Sequence, residues 1–553
     1  MLHKFKSLIQ LIFIAFILTL SPVSGFSQSG KPKAVIGIVV DQMRQEYLYR
    51  FADKFGDSGF KRLIAEGYML KNAHYNYLPT VTGPGHASVY TGTTPSYHGI
   101  ISNEWYDRGE SRMVNCVEDK KQTAVGTQTG KGSASPWRLK TTTITDELKA
   151  ATQEQARVIG ISLKDRGAIL PSGHLSDGAY WYDGTTGNFI SSSYYKPGLP
   201  VWVDQFNQFK LADKYLNKDW RTLLPIESYH ESGPDDSPYE GKLNGKDKPV
   251  FPYILSELRK TNNQYDLIVS TPYGNDLLTD FAKAAIDAEN IGKDNITDFL
   301  AISFSSTDII GHAMGPNSIE IEDTYLRLDK NIQDLLQFLD KKIGAGQYLL
   351  FLTADHGVGE NPKALIQNNL PGGYFNTGDV LKGLKLHLEN FYPGMDLIES
   401  FSNEQVFLKS ETFSEDPKTA SIQVALTSEV IAQYLRSVNG ISEVYTRQEL
   451  SVKGSSANAI HDLLARGVHA GRSGDIFFTL APGWSTVGGT GVTHGSGYSY
   501  DTHVPVIFFG TGVRHGASSA YHQITDIAPT ISTLLEIKFP SGCTGQPVKE
   551  LID

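Results

Sequence analysis

Three apolar runs in this chain stop at or just short of an aspartate: Ala34–Val40 at Asp41, Phe299–Phe304 before Asp308, and Tyr348–Leu352 before Asp355. Short runs of this kind, rich in β-branched and aromatic residues and set between longer helical patterns, describe buried strands of an α/β fold with a mostly parallel central sheet flanked by helices. Val158–Leu163, Leu267–Val269 and Val504–Phe509 extend the set. In open sheets of this class ligands gather beyond the carboxyl ends of the strands, so the three carboxylates are expected in one cleft. Any one of them alone reads more simply as an N-cap or turn residue. Three together point to a site.

Tyr325, Leu328, Ile332, Leu335, Leu336 and Leu339 fall on one stripe of an amphipathic helix, expected to pack on the sheet. Two stretches break the rhythm. From about 180 to 262, a hairpin-like Ala179–Asp183 and Asn188–Ser192 around a Gly184–Gly187 turn gives way to polar, Pro- and Gly-rich sequence, which suggests a cap-like insertion. From about 371 to 485, strand and helix patterns return without site signals, as in an accessory lobe. A chain of 553 residues exceeds the ~250–300 at which one hydrophobic core stops growing, so such additions are expected.

At the N-terminus, His3, Lys4 and Lys6 precede the apolar run Leu8–Leu20, which leads into Pro22, Ser24, Gly25 and Ser27. The run is short for a membrane span and ends in small residues, so 1–28 reads as a cleaved signal peptide. That leaves a secreted or periplasmic chain over 29–553 with no stable membrane anchor. An uncleaved anchor is the alternative, weakened by the missing stop-transfer charges. Net charge is −10 and the basic residues are scattered, which excludes a nucleic-acid surface. Cys116 and Cys543 could pair in an oxidising compartment, though a chain this large needs no such staple.

Two aspartates have histidine company. Asp308-Ile-Ile-Gly-His312 sets a carboxylate and an imidazole on one side of a helical turn, and Asp355-His356 sets both at one strand end. His494, within Gly491-Val-Thr-His494-Gly-Ser-Gly497, supplies another imidazole. Carboxylate with neutral imidazole suits zinc, although either pair alone could be a structural hydrogen bond. Thr82 stands at the mouth of Thr82-Gly-Pro-Gly-His86, where a helix can open and its N–H groups favour an anion. A metal-bound Thr82 alkoxide would be a nucleophile; without a metal the residue reads as an N-cap.

Asp41, Thr82-Gly-Pro-Gly-His86 with Thr91-Gly92, Pro95 and His98-Gly-Ile100, Asp308–His312 with Gly315-Pro316, Asp355-His356-Gly357, His494-Gly-Ser496 and Asp526-Ile-Ala-Pro-Thr530 resemble the alkaline phosphatase superfamily. They look most like the phosphate-irrepressible bacterial alkaline phosphatases with a threonine nucleophile, which are related to nucleotide pyrophosphatase/phosphodiesterases. The similarity runs in order from about 33 to 540. It implies two zinc ions per chain, one held by Asp308, His312 and His494, the other by Asp41, Asp355, His356 and the Thr82 oxygen. His86, His98 and His503 are given no metal role.

The resemblance also implies that Asn103 donates to a phosphate oxygen and that Lys164 and Arg166 read a dianion. Without it the Lys-x-Arg pair would pass for a solvated strand end, although two extended residues at that spacing share one face. The implied activity is a secreted alkaline phosphatase that hydrolyses phosphate monoesters through a phosphothreonine at Thr82. A phosphodiesterase or nucleotide pyrophosphatase is the alternative. A sulfatase would need an arginine motif absent around Thr82, and a phosphoglycerate mutase-like enzyme a serine and manganese. A binding protein that kept its metals after losing activity would lack a ligand or the nucleophile. The alcohol portion of the substrate and the oligomeric state stay open, a monomer being compatible.

Overall fold

The computed structural model describes residues 30–451 and 458–552. Its centre is a sheet of ten strands. In chain order these are β1 (Ala34–Val40), β2 (Tyr68–His74), β3 (Ala124–Val125), β4 (Val158–Ser162), β5 (Gly178–Asp183), β6 (Asn188–Ser192), β7 (Asp298–Phe304), β8 (Tyr348–Thr353), β9 (His503–Gly510) and β10 (Gly516–Gln523). Across the sheet they lie β10-β2-β9-β8-β1-β7-β4-β5-β6-β3. Only β6 and β9 run against the rest, so the sheet is mixed but mostly parallel. β1, β7 and β8 are buried along their whole lengths, which is why their sequences are continuously apolar instead of alternating.

Register fixes where the strands end. β1 pairs in parallel with β7 and with β8, Val40 standing opposite Phe304 and Val39 opposite Thr353. β7 in turn sets Ser303 opposite Ser162 of β4. Asp41, Asp308, Asp355 and Lys164 all follow these ends within a few residues, so one edge of the sheet collects them. The helices that matter to that edge are α1 (Thr82–Thr91), α2 (Asp165–Ser172), α3 (Ser306–Met314), α4 (Ile319–Leu339) and α5 (Ala459–Gly467). Ser318 caps α4 by accepting from Ile321 N, and Tyr325, Leu328, Ile332, Leu335, Leu336 and Leu339 are all buried.

Two sequence readings are corrected. Leu267–Val269 is not a strand: it lies in a 3-10 helix, Gln264–Ser270, entered through left-handed Asn263 and Gln264. A run of three apolar residues cannot be told from a buried helical turn by periodicity, and β5 takes the place beside β4. The hairpin around Gly184–Gly187 is also not part of a cap. β5 and β6 extend the central sheet, burying Tyr180, Trp181 and Tyr182.

Beyond Ser192 the chain forms short helices, Val201–Gln208 and Leu211–Leu216, and a small strand pair, Asp219–Trp220 with Tyr253–Ile254. This segment docks on α4, where the Trp220 indole donates to Asp323 at 2.8 Å. It reaches the site's margin at Gly241, whose N–H donates to Ala313 O at 2.7 Å.

Between β8 and β9 stands a separate four-stranded antiparallel sheet of Ile398–Ser402, Gln405–Leu408, Ile476–Leu480 and Ile441–Thr446. It has its own apolar cluster, including Leu384, Val406, Ile431 and Phe478. The signal-peptide reading for 1–28 lies outside the described residues. Among the described residues no helix is long and apolar enough to cross a membrane.

Candidate metal centre and active site

Asp41 is the first residue after β1. Gln42 follows with φ at 64°, a left-handed conformation that costs a non-glycine residue about 1 kcal/mol. The strained turn lets Gln42 donate twice, from its backbone N to Asp355 Oδ1 at 3.1 Å and from Nε2 to Asp308 Oδ1 at 2.7 Å. Gly311 makes this possible, since a Cβ there would collide with the Gln42 carboxamide.

α3 carries Asp308 and His312 one turn apart, with His312 Nε2 at 3.2 Å from Asp308 Oδ1. His494 Nε2 approaches the same oxygen at 3.6 Å, and His356 Nε2 lies 3.4 Å from Asp41 Oδ1. In each imidazole the other nitrogen, Nδ1, faces a carbonyl: Val492 O at 2.9 Å, Thr80 O at 2.8 Å and Gly357 O at 2.9 Å. A carbonyl can only accept, so Nδ1 carries the proton and Nε2 presents a lone pair. Three Nε2 atoms thus face carboxylate oxygens, where a cation lying between would be held by both; at His312, against the effect of burial, Asp308 raises the affinity for a proton, which takes that place when no metal does.

Asp41 Oδ1, Asp355 Oδ2 and His356 Nε2 are buried and have no hydrogen-bond partner among the described residues. Among the described residues two groups are close enough to share an ion: Asp308 with His312 and His494, and Asp41 with Asp308 and His356. Asp308 therefore belongs to both, whereas the resemblance assigned it to one. Asp355 stands beside the second group, 3.7 Å from His356 Nε2. The donor set fits zinc.

Charge tells the same story. Burial, with Asp308 and Asp355 adding to it, pushes the Asp41 carboxyl well above the ordinary range. Burial acts on Asp308 too, but Lys164 and His312 overcome it and hold that carboxyl well below. Burial and the neighbouring His356 and His312 keep His494 neutral, as a ligand must be. Lys164 Nζ reaches Asp41 Oδ2 and Asp308 Oδ2, both at 2.6 Å.

Thr82 opens α1 and is buried. Gly85, in the same first turn, would set a Cβ 2.8 Å from Asp355 Cβ, so only glycine lets the helix lie this close to the strand end. Asn103 Oδ1 accepts from Gly83 N at 2.6 Å, which commits the amide oxygen and leaves the nitrogen as the group able to donate to a ligand. β4 ends before Lys164, which occupies the N-cap of α2, while Arg166 lies in the first helical turn. The two were expected on an extended segment; the helix begins one residue too early for that. Arg166 Nε is buried without a hydrogen-bond partner among the described residues. Ahead of Thr82, Leu78 N donates to Leu463 O of α5 at 3.1 Å and Thr80 N to Gly495 O at 3.4 Å.

The remaining histidines are engaged elsewhere. His86 Nε2 meets Ser303 Oγ at 2.8 Å, and its Nδ1 lies 2.9 Å from Thr82 O and 3.3 Å from Asp355 Oδ2. It braces Asp355 and the start of α1, in keeping with the structural part the sequence reading gave it; the part played by Gln42 was missed. The adjacency of Gln42 to Asp41 was the only available signal. His98 is buried against Ser88 and the Ile100 N–H, and His503 stacks on His74.

Both cysteines are free. Cys116 Sγ lies 3.1 Å from where Gly83 would carry a Cβ, and Cys543 Sγ 2.8 Å from the same point on Gly92. Those glycines bracket α1 and lie roughly 13 Å apart by helical rise, so thiols held this close to each are too far from one another to pair.

The family described as type I phosphodiesterase / nucleotide pyrophosphatase matches residues 35–504. A Myroides odoratus protein named calcium-transporting ATPase is 44% identical over 95% of this chain and 95% of its own length. Alkaline phosphatase PhoV of Synechococcus elongatus is 43% identical over 94% of this chain and 93% of its own. The crystal structure of alkaline phosphatase PafA matches with a TM-score of 0.89 at 41% identity, covering 95% of this chain and 99% of that one. A PafA variant with one threonine, one asparagine, one lysine and one arginine replaced matches with the same TM-score, 0.89, at 40% identity, again covering 95% and 99%.

Proposed function

Since the chain belongs to the type I phosphodiesterase / nucleotide pyrophosphatase family, within the alkaline phosphatase superfamily, we propose that it is an alkaline phosphatase that hydrolyses phosphate monoesters to inorganic phosphate and an alcohol. One observation carries the choice of monoester over diester: Lys164 and the partly unsatisfied Arg166 stand beside the carboxylate cluster. A monoester dianion has three non-bridging oxygens and rewards that charge; a diester carries an alkyl or aryl group in place of one.

Asp308, His312 and His494 would hold one zinc ion, and Asp41, Asp355, His356 and Thr82 a second. When bound, zinc supplies Lewis acidity to the attacking and leaving oxygens. Thr82 Oγ1 attacks phosphorus, the alcohol leaves, and water later releases phosphate from the phosphothreonine. The Asn103 amide, the Lys164 ammonium and the Arg166 guanidinium stabilise the equatorial oxygens. The PafA variant supports this set, because its replaced threonine–asparagine and lysine–arginine pairs have the same separations as Thr82–Asn103 and Lys164–Arg166. The name of the Myroides relative fits as well, since the terminal phosphate of ATP also presents three non-bridging oxygens.

Removal of 1–28 as a signal peptide would place the enzyme outside the cytoplasm, with 371–485 as an accessory lobe of the catalytic domain. The deciding experiment is kcat/KM on a matched monoester and diester, together with metal analysis. Preference for the diester would install the phosphodiesterase reading.

A further inference from the structure

A cleft of about 100 Å³ opens between the separate four-stranded sheet and the loop that carries His494. Of the residues assigned to the metal centre and phosphate contacts, only His494 touches it, so it is a distinct space with one shared wall. Its apolar surface comes from Leu464, Phe477, Trp484 and Tyr498. Glu404, Glu360 and Asp501 bring carboxylates to the lining, and among the described residues no lysine or arginine does.

Glu360 is already paired, with Arg44 at 2.9 Å. The other two are not neutralised. Asp501 is 1% exposed; its Oδ2 accepts from Gly495 N, Ser496 N and Ser496 Oγ, while its Oδ1 has no hydrogen-bond partner among the described residues. Glu404, half-buried, forms no side-chain hydrogen bond among the described residues and takes a left-handed φ of 55°. Desolvation pushes both carboxyls up to about 7; at Glu404 nothing opposes it, and at Asp501 the Ser496 and Gly495 hydrogen bonds and the Arg44 charge oppose it without offsetting it.

An anion would be repelled here, and a neutral apolar molecule would leave a buried carboxylate oxygen unsatisfied. An ammonium group supplies the missing charge, and aromatic faces attract the same cation. We propose that this cleft binds a small organic ammonium ion with an apolar body. The cation is either the alcohol portion of a phosphate ester or a separate amine. The choice between those two sources rests on the phosphatase reading; the binding site itself does not.

The test uses the full chain with its metals and two probes of equal shape, 2-phenylethylammonium and neutral 2-phenylethanol, measured by calorimetry. The ammonium should bind at least about tenfold tighter, a difference near 1.4 kcal/mol. Glu404→Gln should abolish that preference, and Ile460→Trp, which fills the cleft from its wall, should abolish binding of both. No binding, equal affinity for the two probes, or an undiminished preference in Glu404→Gln would overturn the proposal. Calorimetry needs no turnover, so a failure here is distinguishable from a failure of the monoester assay. In that assay, a rise in KM alone on adding the ammonium assigns the cleft to the alcohol portion of the substrate. Any change in kcat assigns it to a separate effector.

Discussion

The Lys164 ammonium sits 2.6 Å from Asp308 Oδ2. It is equally close to Asp41, so one side chain restrains two buried carboxylates that would otherwise repel. Removing it leaves that repulsion unopposed when zinc is absent. Breaking a buried pair in this way costs about 3–5 kcal/mol. Lys164→Ala should therefore lower the melting temperature of chelated protein measurably, and added zinc should recover most of the loss. A melting curve unaffected by the substitution would mean that Lys164 does not hold the cluster together.

The same residue bears on substrate choice. Lys164→Ala and Arg166→Ala are each expected to lower monoester kcat/KM by about 10²–10³ while leaving diester hydrolysis nearly unchanged. Arg166→Lys should recover only part of the loss, because an ammonium cannot fork across two oxygens. Equal losses on both esters would show that the pair supports structure and does not read charge.

Elemental analysis should find about two zinc ions per chain, with activity lost in chelator and restored by zinc. Thr82→Ala should keep the metals and lose several orders of magnitude in kcat. Near-native turnover in that variant, with chemistry limiting, would end the phosphothreonine mechanism.

Gly85→Ala places a methyl against Asp355, 2.8 Å from its Cβ and closer still to its backbone. Neither partner is a flexible side-chain tip, so α1 must shift. The expected cost is about 1–3 kcal/mol, with weaker zinc retention, read by denaturant midpoint and dialysis. A silent substitution would contradict the packing of α1 on that strand end.

Burial holds His98 down to about 3. Its unfolded value is near 6.5, so below that pH the unfolded chain binds a proton that the folded chain refuses. Stability is complete above about 6.5 and drains away as pH falls toward 3, by roughly 2 kcal/mol at pH 5. His98→Gln should start from a lower stability but lose less of it between pH 7.5 and pH 5, measured on metal-free protein. An identical slope in both proteins would locate the acid sensitivity elsewhere.

The strand ends were legible because β1, β7 and β8 are buried on both faces, so their sequences stay apolar until the aspartates interrupt them. His494 carried no such marker; its glycine-rich loop offered it only as a further imidazole, and the resemblance alone gave it a metal. The positive φ of Gln42, which turns its backbone and carboxamide toward two different carboxylates, leaves no trace in residue type. Nor does the sharing of Asp308 between two ion groups, which depends on side-chain geometry across strands far apart in sequence. Leu267–Val269 failed for a simpler reason: three residues hold less than one period of anything.

Leu78 N donates to Leu463 O of α5, and Gly467 at the end of that helix admits no Cβ because Leu78 O fills the space. Helix α5 arrives with the long excursion between β8 and β9, yet it braces the four residues that lead into Thr82. The excursion therefore cannot be treated as detachable. A shortened chain that joined Gly357 directly to β9 would keep every acid and imidazole of the site but His494, and would lose the strut that aims its threonine. Loops grafted from a relative would have to bring their own version of that strut.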